Sequence, residues 1–180
     1  MKYLVENSDN SIIHSTVSTS LSSCIHMVAY CGNIELLNFL LDQGANLLAR
    51  NKFGDTPLHI AIRNNQKAFA ERVIQYAATL KDLGKLKLDL ENHQEKLTPL
   101  MLAILREQFD IAESMINKGL ATLDYLNKDG DSVNLIASRM GMNIVCEYLA
   151  RKHFGGSIKS PQIVFEGDSS EPDQTHQTPI

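Results

Sequence analysis

The sequence of 180 residues lacks several features that would assign it to particular protein classes. It has no tryptophan and only three cysteines, Cys24, Cys31 and Cys146, and these form no Cys-x-x-Cys pair. Such an odd, sparse set excludes a disulfide framework and a zinc site of ordinary spacing, and it favours a reducing compartment. We therefore expect a protein that folds without covalent cross-links or a structural metal.

Long apolar runs and an excess of positive charge are absent as well. No stretch approaches the roughly 20 apolar residues that a membrane span needs. The first residues, Met1 to Asn10, include Glu6 and Asp9 and no apolar block, so a cleavable signal peptide is not expected. The 17 basic residues are outnumbered by 21 acidic ones, which argues against binding to a phosphate backbone. We predict a soluble cytoplasmic protein with no membrane or nucleic-acid partner.

A motif recurs along the chain with a period near 33 residues. Its clearest copy carries Thr-Pro-Leu-His-Ile-Ala from Thr56, and an earlier copy starts at Ser23 (56 − 23 = 33). Further copies start at Thr98 and Ser132, which are 132 − 98 = 34 residues apart. A hydroxyl residue can cap a helix, and the prolines after Thr56 and Thr98 suit the first helical position. Each copy therefore predicts the start of a helix.

The rest of each copy predicts a turn and a second helix. Gly32 and Gly141 lie nine residues after Ser23 and Ser132, where a left-handed glycine would end the first helix. In the first copy a second helix is predicted from Ile34 to Asp42, because its leucines fall on one face. A single helix pair cannot bury that face, whereas stacked pairs can.

These motifs resemble the ankyrin-repeat family, over about residues 22–153 and about four repeats. The resemblance implies an all-α solenoid of helix-turn-helix units with short β-turn or hairpin arms. The predicted parts are a Ser/Thr-rich segment or partial cap (1–21), the repeat domain (22–154) and a disordered acidic tail (155–180). The predicted repeats are about 22–54, 55–96 with an insertion near 77–97, 97–130 and 131–154.

The copies depart from the pattern in several places. Between Thr56 and Thr98 the spacing is 98 − 56 = 42, so the second helix of that copy should run on towards Leu83. The segment 85–90 alternates polar and apolar residues and predicts a short strand or an extended arm. Met101 and Leu135 occupy the histidine position, and Asn134 stands where the family keeps a buried leucine. We therefore expect the last copy to be a terminal cap.

The tail carries a single apolar triplet, Ile163-Val164-Phe165, among polar and acidic residues. Four of its residues are acidic and only Lys159 is basic, a composition that does not sustain a folded core. The triplet is therefore the only segment of the tail that we expect to be able to dock.

No arrangement of residues in the sequence indicates a catalytic site. His26 and His59 sit in the motif, where we expect hydrogen bonds that tie neighbouring turns together rather than general acid–base chemistry. Cys24 and Cys31 lack zinc spacing, and no phosphate-binding glycine loop or nucleophile elbow occurs. We predict no catalytic residue, no cofactor, no metal, no small-molecule substrate and no enzymatic activity.

The resemblance implies contact positions at the turn tips and at the exposed edge of the first helix of each repeat. Phe53 is the residue we single out, since an exposed aromatic beside Arg63 and Arg106 resembles a binding hot spot. Its ring folding over its own loop remains an open alternative. We expect loss of Phe53 and Arg63 to abolish partner capture without affecting unfolding. The predicted contact set is Lys52, Phe53, Asp55, Arg63, Asn64, Leu105, Arg106, Lys128, Asp129 and Arg139.

The functional hypothesis is therefore a monomeric regulator or scaffold that binds another protein. Two alternatives keep the same fold. One is a regulator of the NF-kappaB-inhibitor type, and the other is a secreted bacterial effector that acts in the host cytosol.

Overall fold

Helices dominate the described part of the structure, and the first six form three consecutive pairs whose members contact each other. The computed structural model describes residues 16–17, 22–82, 87–141 and 146. Two short strands, β1 (Thr16–Val17) and β2 (Ser22–Ser23), pair antiparallel and lead into the first helix. The helices are α1 (Cys24–Cys31), α2 (Ile34–Asp42), α3 (Pro57–Arg63), α4 (Lys67–Asp82), α5 (Pro99–Leu105), α6 (Phe109–Asn117) and α7 (Val133–Arg139).

The first helix of each repeat begins where the motif predicts. Thr56, Thr98 and Ser132 are the N-caps of α3, α5 and α7, and each side chain accepts a hydrogen bond from the backbone N–H three residues on. Pro57 and Pro99 occupy the first helical position, where no N–H is needed. The predicted caps are therefore confirmed.

Loss of the Thr98 hydroxyl should weaken the fold through this cap. Thr98 is buried and its Oγ1 accepts from the Met101 amide at 3.3 Å. We expect Thr98→Ala to lower the free energy of unfolding by about 1 kcal/mol, measured by urea titration. Thr98→Ser keeps the hydroxyl and should retain most of that stability. Equal losses in the two variants would mean that the cap does not contribute.

A left-handed residue ends the first helix of every repeat. Gly32 and Gly141 have φ values of 70° and 69°, as predicted from their spacing. In the second and third repeats the same position is filled by Asn65 and Glu107, with φ values of 56° and 57°. Asparagine tolerates this conformation better than glutamate, so Glu107 is the least favourable of the four.

The helix pairs stack side by side into two rows. The inner helices contact in the order α1, α3, α5 and α7, and the outer helices in the order α2, α4 and α6. One buried apolar core runs between the rows from Ile25 to Ala137. Neighbouring elements make these contacts, as expected of a solenoid. The predicted all-α solenoid of stacked helix pairs is confirmed.

The insertion after the second repeat is anchored to the third. Helix α4 continues to Asp82, as the missing glycine predicts, and residue 83 lies outside the described part. The Leu88 side chain is buried, and its N–H donates to the carbonyl of Leu120 at 2.9 Å. Asp89 accepts from the N–H and hydroxyl of Thr122 at 2.7 and 2.6 Å. From residue 87 onwards the segment is therefore an extended arm rather than a ladder strand.

In the last repeat, α7 buries Val133, Ile136 and Ala137, while Asn134 and Leu135 are exposed. Within the described ranges, no helix is both long and apolar enough to cross a membrane. Most of segment 1–21, the start of the arm and the tail 155–180 lie outside the described residues, so their predicted character stays a prediction.

Candidate functional site

Three asparagines organise the turns that join one repeat to the next. The Oδ1 atom of Asn127 accepts from the amides of Asp129 and Asp131, at 2.9 and 2.8 Å. Asn51 accepts from the amides of Phe53 and Asp55, and Asn92 accepts from those of Glu95 and Leu97. From here on, each turn is counted with the repeat whose helices follow it, so that Asn51, Asn92 and Asn127 belong to the second, third and fourth repeats. Asparagine suits this role because its short side chain can bond the backbone two residues on. The asparagine that recurs five or six residues before Thr56, Thr98 and Ser132 is the sequence signal for these turns, and the predicted contact set does not include it.

Backbone hydrogen bonds join these turns into a continuous row. The carbonyl of Phe53 accepts from the His93 amide at 2.8 Å, and the carbonyl of Glu95 accepts from the Lys128 amide at 3.0 Å. We call residues 51–55, 92–97 and 127–131 the turn row. Because each turn is bonded to the next, side chains on the row are held in a fixed order along the stack.

Phe53 projects from the turn at residues 51–55 with 42% of its surface exposed. The Nζ atom of Lys52 lies 4.9 Å from the centroid of its ring, within the range of a cation–π contact. The ring is therefore available to solvent at the turn tip, together with a cation.

Asp55 and Arg63 form a pair rather than two separate contact residues. The Asp55 side chain is only 2% exposed, and its carboxylate accepts from both terminal nitrogens of Arg63. The same pair recurs in the fourth repeat as Asp131 and Arg139. A buried carboxylate in the turn thus holds each guanidinium beside the turn row.

This pairing overturns one expectation. Removal of Arg63 would leave the buried Asp55 carboxylate without its cation, which is costly. The substitution Arg63→Ala should therefore destabilise the protein, contrary to our expectation that unfolding would be unaffected. Partner capture by such a variant could not be separated from loss of fold.

Asn64 and Arg106 lie at the C-terminal caps of α3 and α5. The Asn64 amide donates to the carbonyl of Ile60 at 2.8 Å, so part of its hydrogen-bonding capacity serves the helix. Arg106 is exposed. Both residues sit beside the turns that lead to the outer helices.

A groove of about 460 Å³ lies between the third and fourth repeats. The buried side chain of Ile136 and the exposed apolar side chains of Leu105 and Met140 line it. The groove brings together Leu105, Lys128, Asp129 and Arg139 of the predicted contact set, along with Gln94, Glu95 and Asp131. A groove lined by both apolar and charged side chains is suited to bind a partner residue whose apolar side chain is flanked by polar groups.

The two motif histidines tie neighbouring repeats together. The Thr56 amide donates to Nδ1 of His59 at 3.1 Å, and Nε2 of His59 donates to the carbonyl of Leu97 at 3.0 Å. His26 bonds in the same way to Ser23 and to the carbonyl of Asp55. The predicted hydrogen bonds are confirmed.

Electrostatics agree with a structural role for the histidines. Burial lowers the pKa of His59 from 6.5 to about 4, although the Leu97 carbonyl and Asp55 oppose the effect. Burial also lowers the pKa of His26. Both rings are therefore neutral at pH 7, and both nitrogens of each are engaged.

Met101 takes the histidine position in the third repeat and is completely buried. Its thioether cannot donate to the next turn, so the third and fourth repeats are joined by apolar packing and by the backbone hydrogen bond from Lys128 to Glu95, without a side-chain bond from this position. Among the residues that the structure describes, no three His, Cys, Asp or Glu side chains are grouped to hold a metal ion.

Part of the chain is similar to proteins that contain ankyrin repeats. Residues 25–78 match a family model described as ankyrin repeats (many copies). The chain is 29% identical over 113 residues to the NF-kappa-B inhibitor cactus of Drosophila melanogaster, covering 62% of this chain and 21% of that protein. It is 33% identical over 93 residues to human SH3 and multiple ankyrin repeat domains protein 2, covering 52% of this chain and 4% of that protein.

A third relative is the ARF GTPase-activating protein Git of Drosophila melanogaster. It is 30% identical over 122 residues, which cover 64% of this chain and 16% of the relative. The chain thus spans about a fifth or less of the length of these relatives. The family model matches residues 25–78, and the resemblance to ankyrin repeats inferred from the sequence is confirmed.

Proposed function

We propose that this protein, whose described residues form an ankyrin-repeat solenoid, is a non-enzymatic module that binds another protein through its turn row and concave helix surface. Ankyrin repeats are generally protein–protein interaction modules, and family members are typically not enzymes. The single observation that carries the proposal is the groove between the third and fourth repeats, which gathers predicted contact residues from both.

Three features of this surface support binding of a folded or extended partner. Phe53 and Leu105 expose large apolar side chains that would lose water contact on binding. Arg63 and Arg139 are held by buried or nearly buried carboxylates, so little side-chain entropy remains to be lost. The turn row is fixed by backbone hydrogen bonds, which preorganises the surface.

The proposal is tested with exposed residues only. We expect the triple variant Phe53→Ala, Leu105→Ala, Lys128→Ala to lower affinity for the captured partner at least tenfold, because the three truncations together remove apolar contact area and a positive charge from the proposed surface, and a few central residues carry most of the energy of an interface. The partner is first isolated by affinity capture and identified by mass spectrometry. Its dissociation constant is then measured by titration calorimetry.

A matched control is available on the opposite side of the stack. Gln75 of α4 and Glu113 of α6 are exposed on the outer helices. We expect Gln75→Ala, Glu113→Ala to bind at wild-type strength, and both variants to unfold within about 0.5 kcal/mol of wild type. Undiminished binding by the triple variant, or a loss in the outer-helix variant, would contradict the proposal.

A second candidate function is inhibition of a transcription regulator by sequestration. The similarity to the NF-kappa-B inhibitor cactus favours it. A reporter assay in which this protein lowers the activity of such a regulator, while the triple variant does not, would support this role. The effector alternative and the cytoplasmic location stay predictions, and a translocation reporter with and without residues 156–180 tests the former.

A further inference from the structure

The fourth repeat ends in side chains that would face a neighbouring repeat. In the first two repeats the motif histidine reaches the next repeat, since Nε2 of His26 and His59 each lie 3.0 Å from a carbonyl there. Met101 holds the same position in the third repeat and is completely buried. Leu135 is the equivalent residue of the fourth repeat, and it is 42% exposed.

A second position shows the same pattern. Arg50 precedes the turn asparagine of the second repeat, and its guanidinium donates to the carbonyl of Glu91 at the next turn. Leu126 precedes the turn asparagine of the fourth repeat and is 55% exposed. In the earlier repeats, these two positions contact the following repeat, whereas in the fourth repeat both are exposed leucines. We call Leu126 and Leu135 the end face.

Such a face is unusual for the last unit of a stack. Terminal repeats need a polar outer surface for solubility, whereas the end face presents two apolar side chains. We propose that the segment Ile163-Val164-Phe165 of the same chain packs on the end face and takes the place of a fifth repeat. This inference is independent of the proposed binding function, because the end face contains none of the predicted contact residues.

The composition of the chain after the repeats favours this occupant. Between residues 155 and 180 the only other large apolar residues are Ile158 and Ile180, and both are isolated. The triplet consists of β-branched and aromatic residues, which suit packing as an extended segment against a flat edge. It is therefore the part of this region with most to gain from burial.

The triplet also lies within reach of the end face. Cys146 packs against the core, and 16 residues, 147 to 162, separate it from Ile163. An extended chain of that length spans up to roughly 50 Å, several times the length of a helix of nine residues, which is about 14 Å. The connection can therefore return to the fourth repeat even if part of it is helical.

Hydrogen exchange in the full chain tests the proposal. We expect Ile163→Ser, Val164→Ser, Phe165→Ser to raise the exchange rates of the α7 amides about tenfold, because uncovering the last repeat favours its local opening. The α3 amides should exchange as in wild type, which shows that the rest of the stack is intact. The control Gln174→Ser, His176→Ser, Gln177→Ser alters the same region without the triplet and should leave α7 unchanged.

A second variant changes the end face instead of the tail and tests the same contact from the other side. If the end face is covered, Leu126→Ser, Leu135→Ser should raise α7 exchange about tenfold, and combining it with the triplet variant should add little. Unchanged α7 exchange in the triplet variant would overturn the proposal. Additive effects, or protection that rises with protein concentration together with a dimer in light scattering, would also overturn it and would assign the face to another occupant.

Discussion

Ile74→Ala should lower the free energy of unfolding by roughly 2–5 kcal/mol, one of the two largest effects that we expect of a substitution in this chain. Ile74 is completely buried in α4, the outer helix that packs against both α2 and α6. Truncation loses the transfer free energy of the removed atoms and leaves a cavity between stacked helices. Because stability of small domains is about 5–15 kcal/mol, the loss is a large part of the total.

The measurement is urea unfolding followed by circular dichroism, with Gln75→Ala as the neighbouring exposed control. Leu40→Ala in α2 removes a similar buried side chain and should fall in the same range. A loss below about 0.5 kcal/mol for Ile74→Ala would mean that its side chain is not buried between repeats.

Acidification from pH 7.5 to pH 5 should lower the free energy of unfolding by about 2 kcal/mol through His59 alone. Burial lowers the folded-state pKa of His59 to about 4, while the unfolded chain has the ordinary value of 6.5. Between these values the unfolded state binds more protons, so the stability contribution is complete above about pH 6.5 and declines as the pH falls. His26 adds an effect of the same sign.

Unfolding midpoints in urea at several pH values check this expectation. His59→Gln keeps a donor and an acceptor but does not titrate, so its stability should depend less steeply on pH than that of wild type. Parallel pH profiles for wild type and His59→Gln would show that protonation of His59 does not oppose folding.

Much of the fold could be predicted because the signals that define it are local. Thr56 followed by Pro57 marks a helix start by itself, and Gly32 marks an end through its own backbone freedom. The role of His59 also followed, since a polar ring at a repeating buried position needs partners in the next copy. Because similar signals recur from repeat to repeat, the stacking of the helix pairs could be predicted without knowing which distant residues contact each other.

The contact surface was harder to predict, because burial there depends on pairs far apart in sequence. Asp55 reads as an exposed turn residue, yet Arg63 eight residues later folds back over it. Leu97 ends the second segment of the turn row but is buried, and its carbonyl accepts a hydrogen bond from Nε2 of His59. Leu105 and Lys128 line the same groove, and this could not be predicted without knowing how the third and fourth repeats stack.

Site-specific photocrosslinking in the native complex tests the proposed binding surface most directly. A photoreactive amino acid is placed singly at Phe53, Leu105, Lys128, Gln75 and Glu113 of the full chain, and the products are resolved by mass spectrometry. We expect the same partner to be crosslinked from the first three positions and from neither Gln75 nor Glu113. Crosslinks from the two outer-helix positions, with none from the turn row and groove, would contradict the account.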